Sequence, residues 1–235
     1  MTATEDLRKL YLQCRLTGEH VDPHVAAICI QSVGDYSGIR SRYAEIVKNA
    51  VQDYLLDVIT GQSAKAQFKS GMATAFLDAF ETGFIDTQGA NATYDPDEED
   101  SQWLASRLEQ EIANIDSLFI TMKAMKDDQE EPLTDDEISN YASDRSIGYA
   151  TTLDGVYGQG KLRSRKSMML TLEGPDGKES CPECQRYKSQ RHRARWWIAH
   201  QLIPTPGNEN YSCGGWQCQH KLMDDSGNQW AGVVE

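Results

Sequence analysis

Two clusters of soft ligands near the C-terminal end constrain this chain more than any other feature. Cys181-Pro182-Glu183-Cys184 is followed by 28 residues and then by Cys213-Gly214-Gly215-Trp216-Gln217-Cys218-Gln219-His220. A Cys-x2-Cys turn sets two thiolates about 3.5–4 Å apart, the separation that Zn–S bonds of about 2.3 Å require in a tetrahedron. Gly214 and Gly215 let the second cluster turn tightly without a Cβ penalty. Cys181, Cys184, Cys213, Cys218 and His220 are therefore five candidate ligands for the four places of a closed, structural zinc (Zn2+) site. A disulfide pair, a redox Cys-Pro-x-Cys and plain buried thiols are the competing readings.

The rest of the composition bears on that choice. No apolar run approaches the ~18–20 residues of a membrane span, so no membrane partner is expected. The first residues have neither a basic nor an apolar leader segment, so no signal peptide is expected. The six cysteines then point to a reducing compartment, where metal binding prevails over disulfides. Cys14 and Cys29 fall in apolar helical patterns and read as small core residues. The net charge of −13 is unevenly placed. Residues 1–144 hold 11 Lys/Arg against 27 Asp/Glu, residues 145–200 hold 11 against 5, and residues 201–235 hold 1 against 4. An acidic body with one basic segment argues for polarity of contacts and against general coating of nucleic acid.

Apolar periodicity predicts helices through the first two-thirds of the chain. Residues 4–17 carry Leu7, Leu10, Tyr11 and Cys14, and Pro23 can open a second short helix. A longer stripe runs over 36–59 and is broken at Gly61. Ser63 is the expected N-cap of a helix whose Phe68, Met72, Phe76, Phe80 and Phe84 read as core. A polar loop is expected over 83–93. Asp95 as N-cap with Pro96 at the first position opens the next helix, to about residue 126. Thr134 and Glu137 form a capping box for a helix ending near residue 155. Beyond Gly160 the texture changes. A short strand over 167–173, a Gly-Pro-Asp-Gly turn, a helix over 194–202 and a closing hairpin over 221–230 make a small unit with little core of its own. The expected fold is α+β: a mainly helical body over 1–160, then a zinc-ribbon-like α+β unit over 161–235 stapled by the metal.

Several motifs fail. Residues 155–161 match the first seven places of a P-loop, but Leu162 stands where the Mg2+-binding hydroxyl belongs, and the stretch follows a helix. The redox pair needs a βαβ frame that the pattern lacks. No histidine is followed by x-Glu, which removes the zinc deaminases. His20 and His24 flank Pro23 and read as loop or cap. No Ser/His/Asp arrangement is legible, so no catalytic residues are expected.

The C-terminal third resembles the phage Mu F-like head morphogenesis proteins, minor capsid proteins of tailed bacteriophages. The resemblance rests on Arg145, Tyr149, Gly155 and Gly160 along a helix and a short strand over 168–172. It continues through Cys181-Pro-Glu-Cys184, Pro204 and Pro206, Cys213-Gly-Gly, and Cys218-Gln-His220-Lys-Leu222. The chain departs from the pattern after Cys184, where Arg-Tyr-Lys-Ser replaces an aromatic–Gly pair. It departs again at Trp216-Gln217, which lengthens the approach to Cys218. The resemblance implies a minor virion protein near the portal, made in the host cytoplasm and carried in the phage head. It would act in procapsid assembly or DNA ejection, with no enzyme activity. Its partners would be the portal protein and the major capsid or scaffolding protein, with phage DNA contacted non-specifically. Two other classes stay open. One is a zinc-ribbon nucleic-acid binder using Arg163, Arg165, Arg191, Arg193 and Arg195, with Trp196 or Tyr187 for stacking. The other is an enzyme such as a nuclease or a toxin-type transferase.

Overall fold

The computed structural model describes residues 35–88, 94, 96–127, 132–175, 180–206, 208–215 and 218–232. The expected elements at 4–17 and Pro23, the cap at Asp95, and Cys14, Cys29, His20 and His24 lie outside the described residues. The described elements are α1 (Tyr36–Leu55), α2 (Gly61–Asp86), α3 (Glu98–Asp127), α4 (Asp135–Ser164), β1 (Met169–Glu173), α5 (Pro182–Tyr187), β2 (Arg191–Arg193), α6 (Ala194–Ala199), β3 (Lys221–Met223) and β4 (Gln229–Ala231). The fold is α+β: long helices followed by one antiparallel sheet of order β2-β1-β3-β4. No helix among the described residues is long and apolar enough to cross a membrane.

Local chemistry sets the helix ends. The Asp35 carboxylate accepts from Gly38 N at 2.7 Å and starts α1, whose Tyr36, Ile39, Tyr43, Val47, Val51 and Leu55 form the buried stripe. Asp57 takes a left-handed conformation, φ 58°, and α1 stops four residues short of the expected end. Thr60, not Ser63, caps α2: its hydroxyl accepts from Ser63 N at 3.2 Å. Gly61, expected as a breaker, is the first helical residue of α2. Asp97 provides the first-turn acceptor of α3, taking Asp100 N at 2.9 Å. The capping box at Thr134 and Glu137 is present in full and opens α4.

α2 is the centre of the body. Every residue from 75 to 84 is buried, the pattern of a helix enclosed on all sides. The expected loop from Gly83 is therefore displaced: α2 continues to Asp86 because Gly83 is a packing contact. A Cβ on Gly83 would lie 2.1 Å from Tyr157 O, and one on Gly160 would lie 2.2 Å from Phe80 O. The two glycines let the backbones of α2 and α4 approach as no side chain would allow. The same reason carries α4 past its expected end near 155. Gly155 faces Thr205 at 3.0 Å and Gly158 faces Ala231 at 3.2 Å, each distance taken from an ideal Cβ.

Two cores result. One gathers the apolar faces of α1–α4 as far as Val156. The other begins at Leu162 and gathers Leu170, Leu172, Trp197, Tyr211, Leu222 and Trp230. The expected boundary at residue 160 falls inside α4, so one unbroken helix serves both cores. Past it, buried Arg163 donates to buried Asp100 at 2.9 Å and its guanidinium lies 5.1 Å from the Trp103 ring. Lys166 also reaches Asp100, at 3.0 Å, so the buried acid joins both basic residues to the start of α3.

Glycine substitutions separate packing from helix propensity. Gly160→Ala should destabilise the protein by about 2–3 kcal/mol, the cost of overpacking against a backbone carbonyl. Gly148→Ala, with nothing within 4 Å of its Cβ, should stabilise by about 0.5–1 kcal/mol through propensity alone. Urea unfolding midpoints read both; equal midpoints for the two variants would refute the close α2–α4 approach.

Candidate metal centre

The first cluster is built on a helix where the sequence suggested only a turn. Cys181 is the N-cap of α5 and Pro182 its first residue. The Cys181 sulfur accepts from Cys184 N at 3.5 Å, and the turn directs Cys184 into the second core, 1% exposed. The second cluster arrives through a loop. Gly214 and Gly215 both have positive φ, 60° and 75°. A Cβ on Gly215 would fall 2.0 Å from Thr205 O, so this glycine is required twice over. The loop brings Cys218 to Cys184, with 3.4 Å between the sulfurs. His220 comes just before β3, and the β1–β3 pairing that opposes Glu173 to Lys221 sets Gly174 beside it. A Cβ on Gly174 would lie 2.4 Å from His220 Cδ2, so the bare backbone leaves room for the ring.

Cys184, Cys218 and His220 thus converge in a group that could hold a metal ion, their ligand atoms all within 4.8 Å of one another. All three are buried, at 1%, 7% and 2% exposure. His220 Nε2 has no hydrogen-bond partner although it is buried. Cys181 and Cys213 lie at the rim, half-buried, and the four cysteines of the unit are free thiols. The thiols divide one another's protons. The hydrogen bond between them holds Cys218 down, to about 6, and pushes Cys184 well above the usual thiol range. Burial first, then Cys181, raises Cys213 to about 11. A cluster that already favours a thiolate is suited to a cation.

Glu183, a residue the sequence did not single out, ties the halves together. Its carboxylate accepts from Ser212 N at 3.0 Å and from Ser212 Oγ at 2.8 and 2.9 Å, which fixes the Cys213 loop to α5. These bonds, the Ser212 backbone N–H first, hold its pKa down to about 2. The clamp is therefore complete above the ordinary carboxylate value and is lost only as the pH falls toward that figure. Only its place after Pro182, at a helix start, hinted at it.

The structure separates the five arginines expected to contact nucleic acid: Arg163 and Arg165 are held by the helical body, and Arg191, Arg193 and Arg195 lie at β2 and α6. Arg163 is corrected outright: it is buried against Asp100 and Gln159 and presents no guanidinium to a phosphate. The readable signal was its spacing, which continues the buried 152, 156 and 159 positions of α4. Arg165 donates to Thr87 O at 2.9 and 3.2 Å. Arg191 pairs with Asp225, Arg193 donates to Ser167 O at 3.1 Å, and Arg195 is exposed. The P-loop-like stretch lies in the interior of α4, and the Cys-Pro-x-Cys sits beside an antiparallel sheet, with no βαβ frame among the described residues.

No protein-family model, no curated protein and no solved structure matches this chain.

Supporting residues should matter to a metal without touching it. Glu183→Ala should weaken binding of a metal ion about 10-fold, the usual effect of losing an orienting partner, and Gly174→Ala should weaken it further by displacing the His220 ring. Competition with a chromophoric chelator measures both; unchanged affinity in both variants would show that Cys184, Cys218 and His220 are not the metal's ligands.

Proposed function

We propose that this chain is a non-catalytic assembly protein of a phage head, and that one structural zinc ion held by Cys181, Cys184, Cys218 and His220 closes its C-terminal unit. The observation that carries the zinc is the buried convergence of Cys184, Cys218 and His220, with an orphaned ring nitrogen among them. Cys181 is the fourth ligand in this reading because its sulfur adjoins Cys184 at the cap of α5; Cys213 is left out of the set. Thiolates with one imidazole select Zn2+ over Mg2+ or Ca2+. Zinc bound there would crosslink α5, the loop before Cys218 and the start of β3. Four protein ligands leave no open position for a substrate, which suits a structural site.

The assembly role is supported by the arrangement of this chain: a helical body, then Cys-x2-Cys, a proline-bearing loop and Cys-x-His, in the order of the phage head proteins it resembles. Charge supports it too. An acidic body and a basic unit can orient one protein between surfaces of opposite sign, as a portal-vertex protein requires.

Cys181→Ser should lower zinc affinity by at least about 100-fold, as befits loss of a direct ligand, while Cys213→Ser should leave it within a few-fold. Equal losses in the two variants would refute this ligand set. For the assembly role, mass spectrometry of purified particles should find the chain enriched over lysate, and the portal protein should retain it in a pull-down that weakens as salt rises. Absence from particles together with no retention would overturn the role.

A further inference from the structure

We propose that the sheet edge at β2, with the adjoining ends of α5 and α6, is a binding face for the sugar-phosphate backbone of a nucleic acid. Residues 186–200 contain five Lys/Arg and no Asp or Glu. β2 is an edge strand, and its Arg191 and Arg193 stand exposed on one side of it, in register with Thr171 and Met169. Arg186 at the end of α5 and Arg195 on α6 are exposed beside it. The partners of these arginines are weak competitors for phosphate. Arg191 pairs with Asp225 where both are solvated, an exchange of little cost. Arg193 spends one Nη1 on Ser167 O. Arg186 lies over the Tyr187 ring at 5.3 Å and is exposed to solvent. Arginine forks suit phosphate oxygens better than lysine.

The aromatic residues here have a different task from the one the sequence suggested. Trp196 stacks on His192 at 3.7 Å and on His200 at 4.1 Å, with interplanar angles of 16° and 24°. Two near-parallel rings this close to one indole must take its opposite faces, so Trp196 has no face left for a base. The stack locks β2 to α6 and holds the arginines at fixed spacing. Recognition here is therefore of backbone charge, without base readout. The acidic body repels the same polyanion, so approach is confined to this edge. Arg163 and Arg165 take no part, being held toward α3 and Thr87.

The test uses the full chain and two 20-base-pair DNA duplexes of unrelated sequence, followed by fluorescence anisotropy over a salt series. Affinity should be equal for the two. Its log–log salt slope should be about −3 to −4, since each neutralised phosphate contributes about −0.9. Arg193→Ala with Arg195→Ala should reduce the slope by about 2, Arg186→Ala alone by about 1, and Arg165→Ala by nothing. All four side chains touch solvent, and circular dichroism would confirm that each variant is folded. No binding at the lowest salt, or a slope unmoved by the double variant, overturns the proposal. Displacement of the duplex by poly-glutamate at equal charge also overturns it, by reassigning the face to an acidic polypeptide.

Discussion

The rest of the molecule depends on the approach of two helix backbones, α2 and α4, at Gly83 and Gly160. With side chains at these positions the helices would stand apart, and α2 could not be enclosed over ten consecutive residues. Once α4 is seated there, its final turns project beyond the bundle and become the foundation of the C-terminal unit. Gly155 receives the Thr205 loop, Gly158 receives β4, and Leu162 enters the second core. Arg163 then fastens the end of α4 to the start of α3 through Asp100. Four glycines that cost helix propensity thus remove steric barriers at three separate contacts.

The C-terminal unit faces the opposite problem, too little core. Its strands are three to five residues long, and a small unit buries a modest share of its surface. Trp197 and Tyr211 fill the centre and satisfy their polar atoms on Leu170 O at 3.3 Å and Leu202 O at 3.0 Å. Glu183 binds its two halves across the loop, and the Cys/His cluster could add a metal crosslink. The Cys184 and Cys218 sulfurs meet at 3.4 Å, while the buried His220 Nε2 has no partner, a costly arrangement that a bound cation could relieve.

Much of this was legible in the sequence because it rested on local signals. The helical stripes of α1–α3, the capping box at Thr134, the tight glycines before Cys218, the strand at β1 and the closing hairpin all arise from periodicity or turn chemistry. The missed features depend on distant partners. Gly83 and the glycines of α4 read as terminators, since only the neighbouring helix reveals why a Cβ is excluded. Arg163 looked like surface charge in a basic run, since Asp100 is 63 residues away. Cys181–Cys184 read as a turn and is a helix start, and Trp196, read as a stacking platform, is already stacked on both faces. The five candidate ligands were visible from spacing; the separation of a buried three from a rim pair required the fold.

The proposed zinc ion would close the C-terminal unit on the helical body. X-ray absorption at the zinc edge, on full-length protein purified under reducing conditions, tests it most directly. The account predicts one zinc per chain with a first shell of three sulfurs at about 2.3 Å and one nitrogen at about 2.0–2.1 Å. Protein without zinc, or a shell dominated by oxygen, would contradict it.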